Sequence, residues 1–258
     1  MESLVQAVAA PTRREQMAKR ARCLQAIVLA ALLFTLMPLR AQDPLKTLPK
    51  NYRLVWQNDF VRVIHVIYGP LEKLPVHNHS AKPTVYVYLS DSGPVRFSHI
   101  EEPPFSLVRP PEEAGTFRFS PGRLEKHEVE NKGQIPSEFL RVELTQLPLG
   151  YQGNSFRSPK SFDAVHRGVR TEFDTPFVKI QRVVAVTGEP TEVRAADAGA
   201  LLIAFSPSLV QSPEHDGKPQ TLRCGDVLWI DARRAVQVSS DAQSAAAHLL
   251  RIVLEPKR

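Results

Sequence analysis

Residues 69–93 read GPLEKLPVHNHSAKPTVYVYLSDSG. A proline-punctuated apolar run carries His77 and His79 two positions apart, and Thr84–Leu89 (TVYVYL) then leads into the turn-forming Ser90-Asp91-Ser92-Gly93. On a strand, residues i and i+2 point to the same face. The two imidazoles can therefore converge on one ion. Imidazole nitrogen suits Zn, Fe, Ni and Cu, and Mn in mixed sites. A third nitrogen donor, His127, follows in GTFRFSPGRLEKHEVEN (residues 115–131), after a Pro121-Gly122 turn and four positions before Asn131.

Outward from these stretches the chain keeps one texture. Phe60–Ile67 (FVRVIHVI), Gly115–Phe119 (GTFRF) and Phe139–Leu144 (FLRVEL) alternate or run apolar over strand lengths, broken by Pro, Gly, Asp and Ser. No amphipathic helix is expected after about residue 50, so the pattern predicts an all-β sandwich or barrel. The pattern also repeats. Phe177–Ile180 echoes Phe60–Val63, Gly188-Glu189-Pro190 echoes Gly69-Pro70, and Ala200–Phe205 echoes Thr84–Leu89. Gly225–Trp229 then echoes Gly115–Phe119, and His248–Leu254 echoes Phe139–Leu144. Five echoes in one order argue for an internal duplication. The glycine- and serine-bearing stretch 147–172 is the expected linker or covering arm. It joins an N-terminal barrel over 50–146 to a C-terminal barrel over 173–258.

Both histidine stretches resemble the two motifs of the cupin superfamily. The first motif runs from a glycine through a His-x-His pair to a closing glycine, as Gly69, His77, His79 and Gly93 do. The second runs from a glycine through a Pro/Gly turn to a histidine and an asparagine, as Gly115, Pro121, Gly122, His127 and Asn131 do. The resemblance covers roughly residues 52–255. It implies two cupin-type jelly-roll β-barrels in tandem, the first holding one divalent transition metal (Fe, Mn, Ni, Cu or Zn) through His77, His79 and His127. The chain departs from the motif where cupins usually place a glutamate ligand, four or five residues after the second histidine. Pro83 and Thr84 stand there. A three-histidine site results, completed by water, substrate or a nearby acid. The second half has no histidine at the matching places: Ala196 and Ala198 align with His77 and His79, and Gln237 with His127. It is expected to serve packing or dimerisation, and a homodimer is the expected assembly if there is one.

The net charge of +6 invites a nucleic-acid reading, but residues 1–41 carry six basic and two acidic side chains, and without them it falls to +2. No cluster of Lys and Arg with aromatics remains, so no nucleic-acid partner is expected. Residues 1–41 read as a signal segment. Lys19, Arg20 and Arg22 precede the apolar run Ala26–Met37, and Ala41 ends a plausible cleavage site. Twelve apolar residues are too few to span a bilayer, which takes about 20. Residues 1–41 therefore point to a periplasmic or secreted protein without stable membrane insertion after cleavage, and translation starts at Met1 or Met17. Cleavage leaves Cys224 alone, an expected buried thiol with no disulfide partner.

Tyr86 and Tyr88 share the parity of Thr84, so both are expected to face the pocket and orient a small-molecule ligand. Arg96 could bind a carboxylate by two parallel hydrogen bonds. Glu72 is read as a loop acid, Glu128 as pointing away from His127, and Phe117 and Phe119 as core. His65, His99, His166, His215 and His248 have no partner at ligand spacing. Glu101-Glu102 and Glu112-Glu113 are read as solvated. No nucleophile elbow, CxxC, P-loop or dinucleotide fingerprint appears. Two functions from different classes stand. One is a metal-dependent dioxygenase, isomerase or lyase acting on a small carbonyl or enol compound. The other is a non-catalytic small-ligand-binding module with a vestigial or weak metal site.

Overall fold

The computed structural model describes residues 43–147, 155–159, 166–213, 217–241 and 243–255. These belong to one compact unit. The expected signal segment and His215 lie outside the described residues. Among the described residues one short helix, α1 (Pro44–Thr47), begins on an N-cap in which Asp43 accepts a hydrogen bond from the Leu45 amide. No helix among the described residues is long and apolar enough to cross a membrane. The other named elements of the described residues are strands, paired antiparallel.

The first barrel closes a six-stranded sheet over a four-stranded one. The larger has the order β1 (Tyr52–Gln57), β2 (Val61–Tyr68), β9 (Ser137–Leu144), β4 (Thr84–Tyr88), β7 (Phe117–Ser120) and β10 (Phe156–Arg157). The smaller has the order β3 (Lys73–His79), β8 (Glu125–Asn131), β5 (Val95–His99) and β6 (Phe105–Arg109). The second barrel repeats this plan. Its larger sheet runs β11 (Gly168–Asp174), β12 (Val178–Val186), β19 (Ala246–Leu254), β14 (Ala200–Ala204) and β17 (Val227–Ile230). Its smaller sheet runs β13 (Thr191–Arg194), β18 (Ala235–Ser240), β15 (Ser208–Gln211) and β16 (Pro219–Leu222). Every strand of the second barrel follows its counterpart by ten in chain order, so the duplication is written in the topology. β11 begins inside the stretch expected as linker, and β10 adds two linker residues to the edge of the first barrel beside β7.

Alternation decides what each strand gives to which side. The larger sheets are covered on both faces, because the two barrels pack on each other through them. Val61, Val63, Val85, Phe117, Phe119 and Val142 of the first barrel share one core with Val178, Ile180, Leu201, Ile203, Leu250 and Ile252 of the second. Phe117 and Phe119 are thus core residues, but of the seam between barrels. Trp229 stacks on Trp56 at 5.6 Å and on Phe60 at 5.7 Å across that seam. A buried arginine, ion-paired within the second barrel, crosses it by a hydrogen bond. Arg182 donates from Nε to Glu172 (2.6 Å) and from Nη1 to the carbonyl of Gly115 (2.7 Å) in the other barrel.

The interiors differ. The second barrel is filled with small aliphatics, among them Val183, Ala185, Val193, Ala195, Val236 and Val238. This corrects the alignment made from sequence by one residue. Gln237 points outward on β18, and Val236 and Val238 face the interior where His127 does in the first barrel. Ala198 faces the seam, whereas Ala195 and Ala196 pack against the second barrel's interior. Cys224 is exposed, because it precedes β17 in the turn closed by Gly225, whose φ is +84°.

Removing one partner of a buried pair leaves the other desolvated and uncompensated. Arg182→Met should therefore lower unfolding free energy by about 3 kcal/mol, read from urea denaturation. A change under about 0.5 kcal/mol, the size of ordinary surface substitutions, would mean that Arg182 does not tie the barrels.

Candidate metal centre

The centre is built on the β3–β8 pairing. His77 stands directly opposite His127, and His79 opposite Glu125. All four lie on the inward parity of their strands and all are buried. One ligand nitrogen from each of His77, His79 and His127 lies within 4.8 Å of the others. The ring centroids are 4.9 Å apart for His77–His79 and His77–His127, and 5.2 Å for His79–His127.

Two details show that this set fits a metal. The first is His127, whose two ring nitrogens are both buried without a hydrogen-bond partner. A buried orphan of this kind is costly unless something binds it. The second is His77, whose Nδ1 lies 2.8 Å from the carbonyl of Pro75. That contact fixes the tautomer with hydrogen on Nδ1, the usual arrangement around a ligating histidine, and leaves Nε2 as an acceptor, which meets the Tyr52 hydroxyl at 2.9 Å and could instead meet an ion. A cavity of about 10 Å³ beside His79 and His127 has room for one ion or water.

Backbone contacts hold the site from behind. Gly122 (φ +88°) lies under the loop after His79, where an added Cβ would meet the Ala81 carbonyl at 2.6 Å. Gly93 packs against Gly133, and a Cβ there would lie 2.5 Å from its Cα. Asn131 donates from Nδ2 to the carbonyls of Gly69 (2.8 Å) and Ile135 (2.9 Å), and accepts from the Gly133 amide. The glycines and asparagine of the motifs thus tie loops. Glu72 does likewise, accepting from the Gly69 amide and Asn51 Nδ2.

Tyr86 and Tyr88 both point into the first barrel. Tyr86 lines the cavity beside His79 and His127. Its hydroxyl accepts from Arg141 Nη1 at 2.9 Å and lies 3.4 Å from Glu125. Tyr88 packs against Phe139 and does not line that cavity. Arg96 does not reach the interior: it occupies the outward parity of β5 and pairs with Glu130 on β8. Glu128 also points outward, near Lys73. Thr84, in the place of the usual glutamate, is buried with its hydroxyl donating to the Lys82 carbonyl.

Several residues of the site escaped the sequence reading. His99 is buried opposite His127, its ring 5.1 Å from that histidine and stacked on Phe105 at 4.4 Å. Glu125 shares the parity of His127 two positions earlier, which was the available signal. Burial alone would raise its pKa, but Arg141 foremost, with His127 and Arg109, holds it down at about 2. Arg141 bonds Glu143 (3.0 Å) and reaches Glu125 (3.3 Å). Arg118 lies 4.2 Å over the Tyr86 ring, and Arg109 lies 4.0 Å over Phe97. Glu112, expected in solvent, is buried and paired with Arg157 of the linker at 2.8 Å.

Beyond His79 a second cavity opens, about 260 Å³, lined by Asp43, Arg62, Asn78, His79, Ser80 and Glu143 among others. It gives the site a chamber for a small molecule next to one of the three histidines.

Burial pushes the pKa of His77 below 6.5, and those of His79 and His127 well below it, with Arg141 adding to the shift at His79. Free of metal, these imidazoles stay neutral in the folded protein while the unfolded chain takes up protons below about 6.5. The unfolded state then binds more protons, so stability falls as pH falls through that window. The urea midpoint of the metal-free protein should drop from about pH 7 to about pH 5, and His79→Asn/His127→Asn should flatten the slope. An unchanged slope in the double variant would defeat this electrostatic assignment.

No protein-family model matches the chain, and no curated protein sequence does. Solved structures do resemble it. Bacterial pirin YhhW from Escherichia coli, determined in complex with nickel(II), superposes with a TM-score of 0.56 at 12% identity, over 80% of this chain and 91% of that one. A mutant of Bacillus subtilis oxalate decarboxylase OxdC gives 0.54 at 11% identity, over 78% of this chain and 70% of that one. A mutant of salicylate 1,2-dioxygenase from Pseudoaminobacter salicylatoxidans gives 0.52 at 10% identity, over 95% of each chain. With its two jelly-roll barrels and a histidine cluster inside the first, the chain shares the fold of these solved structures.

Proposed function

We propose that this protein binds one divalent transition metal through His77, His79 and His127, and acts on a small anionic carbonyl or enol compound. The orphaned ring of His127, clustered with two other histidines and lining a cavity the size of one ion, carries this reading. A bound dication would supply Lewis acidity toward a carbonyl or enolate oxygen. Three neutral histidines leave the dication's charge to be balanced by the ligand. The barrel adds positive charge of its own: Arg109, Arg118 and Arg141 surround Tyr86, against Glu125 and Glu143. A small anion is the species such a field attracts. The chamber beyond His79 is its place of entry, with Arg62 in the wall. Tyr86, pinned by Arg141, is rigid enough to position a ligand in the barrel.

A non-catalytic binding module would use the same chamber and ion. The fixed Glu125 favours that second reading in one respect. Its carboxyl, held near 2, is a weak proton acceptor at neutral pH. Turnover of a 2-oxo or enol acid by the metal-loaded protein separates the two.

Elemental analysis of the untagged protein should find one transition metal per chain. His77→Ala should abolish it with the far-UV circular dichroism unchanged. Unaltered stoichiometry in that variant would defeat the site assignment.

A further inference from the structure

Tyr52 belongs to neither motif, yet it reaches the centre of the site. It sits on β1, is buried, and pairs across to Val66. Its hydroxyl donates to His77 Nε2 at 2.9 Å, the ring nitrogen that the Pro75 contact leaves as an acceptor. Its ring lies 5.3 Å from that of His77 and 5.4 Å from that of His79. Tyr52 also lines the ion-sized cavity.

We propose that the phenolic oxygen of Tyr52 is the oxygen donor of the metal centre, taking the role that Thr84 cannot fill. The proposal rests on the metal-binding reading above. Donors about 2.0–2.1 Å from one ion and at right angles to each other stand about 2.9 Å apart. The observed separation of hydroxyl and Nε2 matches such an edge. The other oxygens near the site are committed. Thr84 donates its hydroxyl to the Lys82 carbonyl. Glu125 is held by Arg141 and is not among the residues whose ligand atoms fall within 4.8 Å of each other. Tyr68 places its own hydroxyl 3.0 Å from that of Tyr52. It can donate to the Tyr52 oxygen once that oxygen no longer carries hydrogen. On coordination the phenol O–H bond breaks, an oxygen–metal bond forms, and one proton passes to bulk water, as deprotonation of a ligand by a metal requires. The phenolate also supplies the negative charge that a three-histidine shell lacks.

The test uses the full chain loaded with ferric ion. Iron bound by phenolate shows a visible charge-transfer band and phenolate modes in resonance Raman. The wild-type protein should show both, Tyr52→Phe should keep its iron and lose both, and Tyr68→Phe should retain both. One iron per chain with no band in the wild type would overturn the proposal, as would a band that persists in Tyr52→Phe. If the Phe variant fails to fold, the wild-type Raman spectrum decides alone. A wild-type chain that takes up no iron, nor any other transition metal, would instead defeat the metal-binding reading from which this one starts.

Discussion

The register between β3 and β8 is the constraint on which the centre depends. It sets His77 opposite His127 and His79 opposite Glu125. Because side chains alternate, a slip of one residue would turn every one of them outward. The register is pinned at both ends by contacts that tolerate no substitute: Gly122 beneath the loop after His79, and the Gly93–Gly133 approach beside Asn131. A shift between Leu74 and His77 in the same pairing absorbs the proline at 75 and frees its carbonyl to fix the His77 tautomer. The motif residues that touch no ion are therefore those that aim the ones that can.

The second barrel explains how the first can carry so much buried polarity. Arg141, Glu125, Glu143, Tyr52 and four histidines fill an interior that would otherwise be aliphatic. Buried charged and polar groups contribute little net stability even when well paired. The apolar burial lies elsewhere, in the seam between the larger sheets and in the aliphatic interior of the second barrel. Duplication thus divides the labour. One copy retains the polar interior, and the other, relieved of it, packs densely and buries the first copy's outer sheet.

What the sequence made legible was local. Alternation within Thr84–Tyr88 placed both tyrosines inside, and the same rule sent Glu128 out. The His-x-His pair and His127 were readable from spacing, and the duplication from the order of echoes. What it hid was set by long-range pairing. His99 looked solitary because its partner, His127, lies on another strand. Tyr52 and Arg141 come from strands β1 and β9, outside both motifs. Arg96 and Glu112 were read by type rather than by face: one faces outward, and the other is buried by a linker arginine that no local pattern announces. The one-residue error at Gln237 has the same root, since counting from a glycine cannot register the differing turn lengths of two copies.

Charge gives the last constraint on function. An interior with three guanidiniums around one tyrosine, and with histidines kept neutral by burial, is poised to gain rather than lose negative charge. A dication alone would make the imbalance worse. The centre is therefore stable when an ion and an anionic donor arrive together, whether the donor is a side chain or a ligand from the chamber beyond His79. An internal donor would hold the ion by itself, and an external one would complete the neutralisation only when ligand is present. That order of filling ties metal retention to the protein's own residues and ligand affinity to the field they leave.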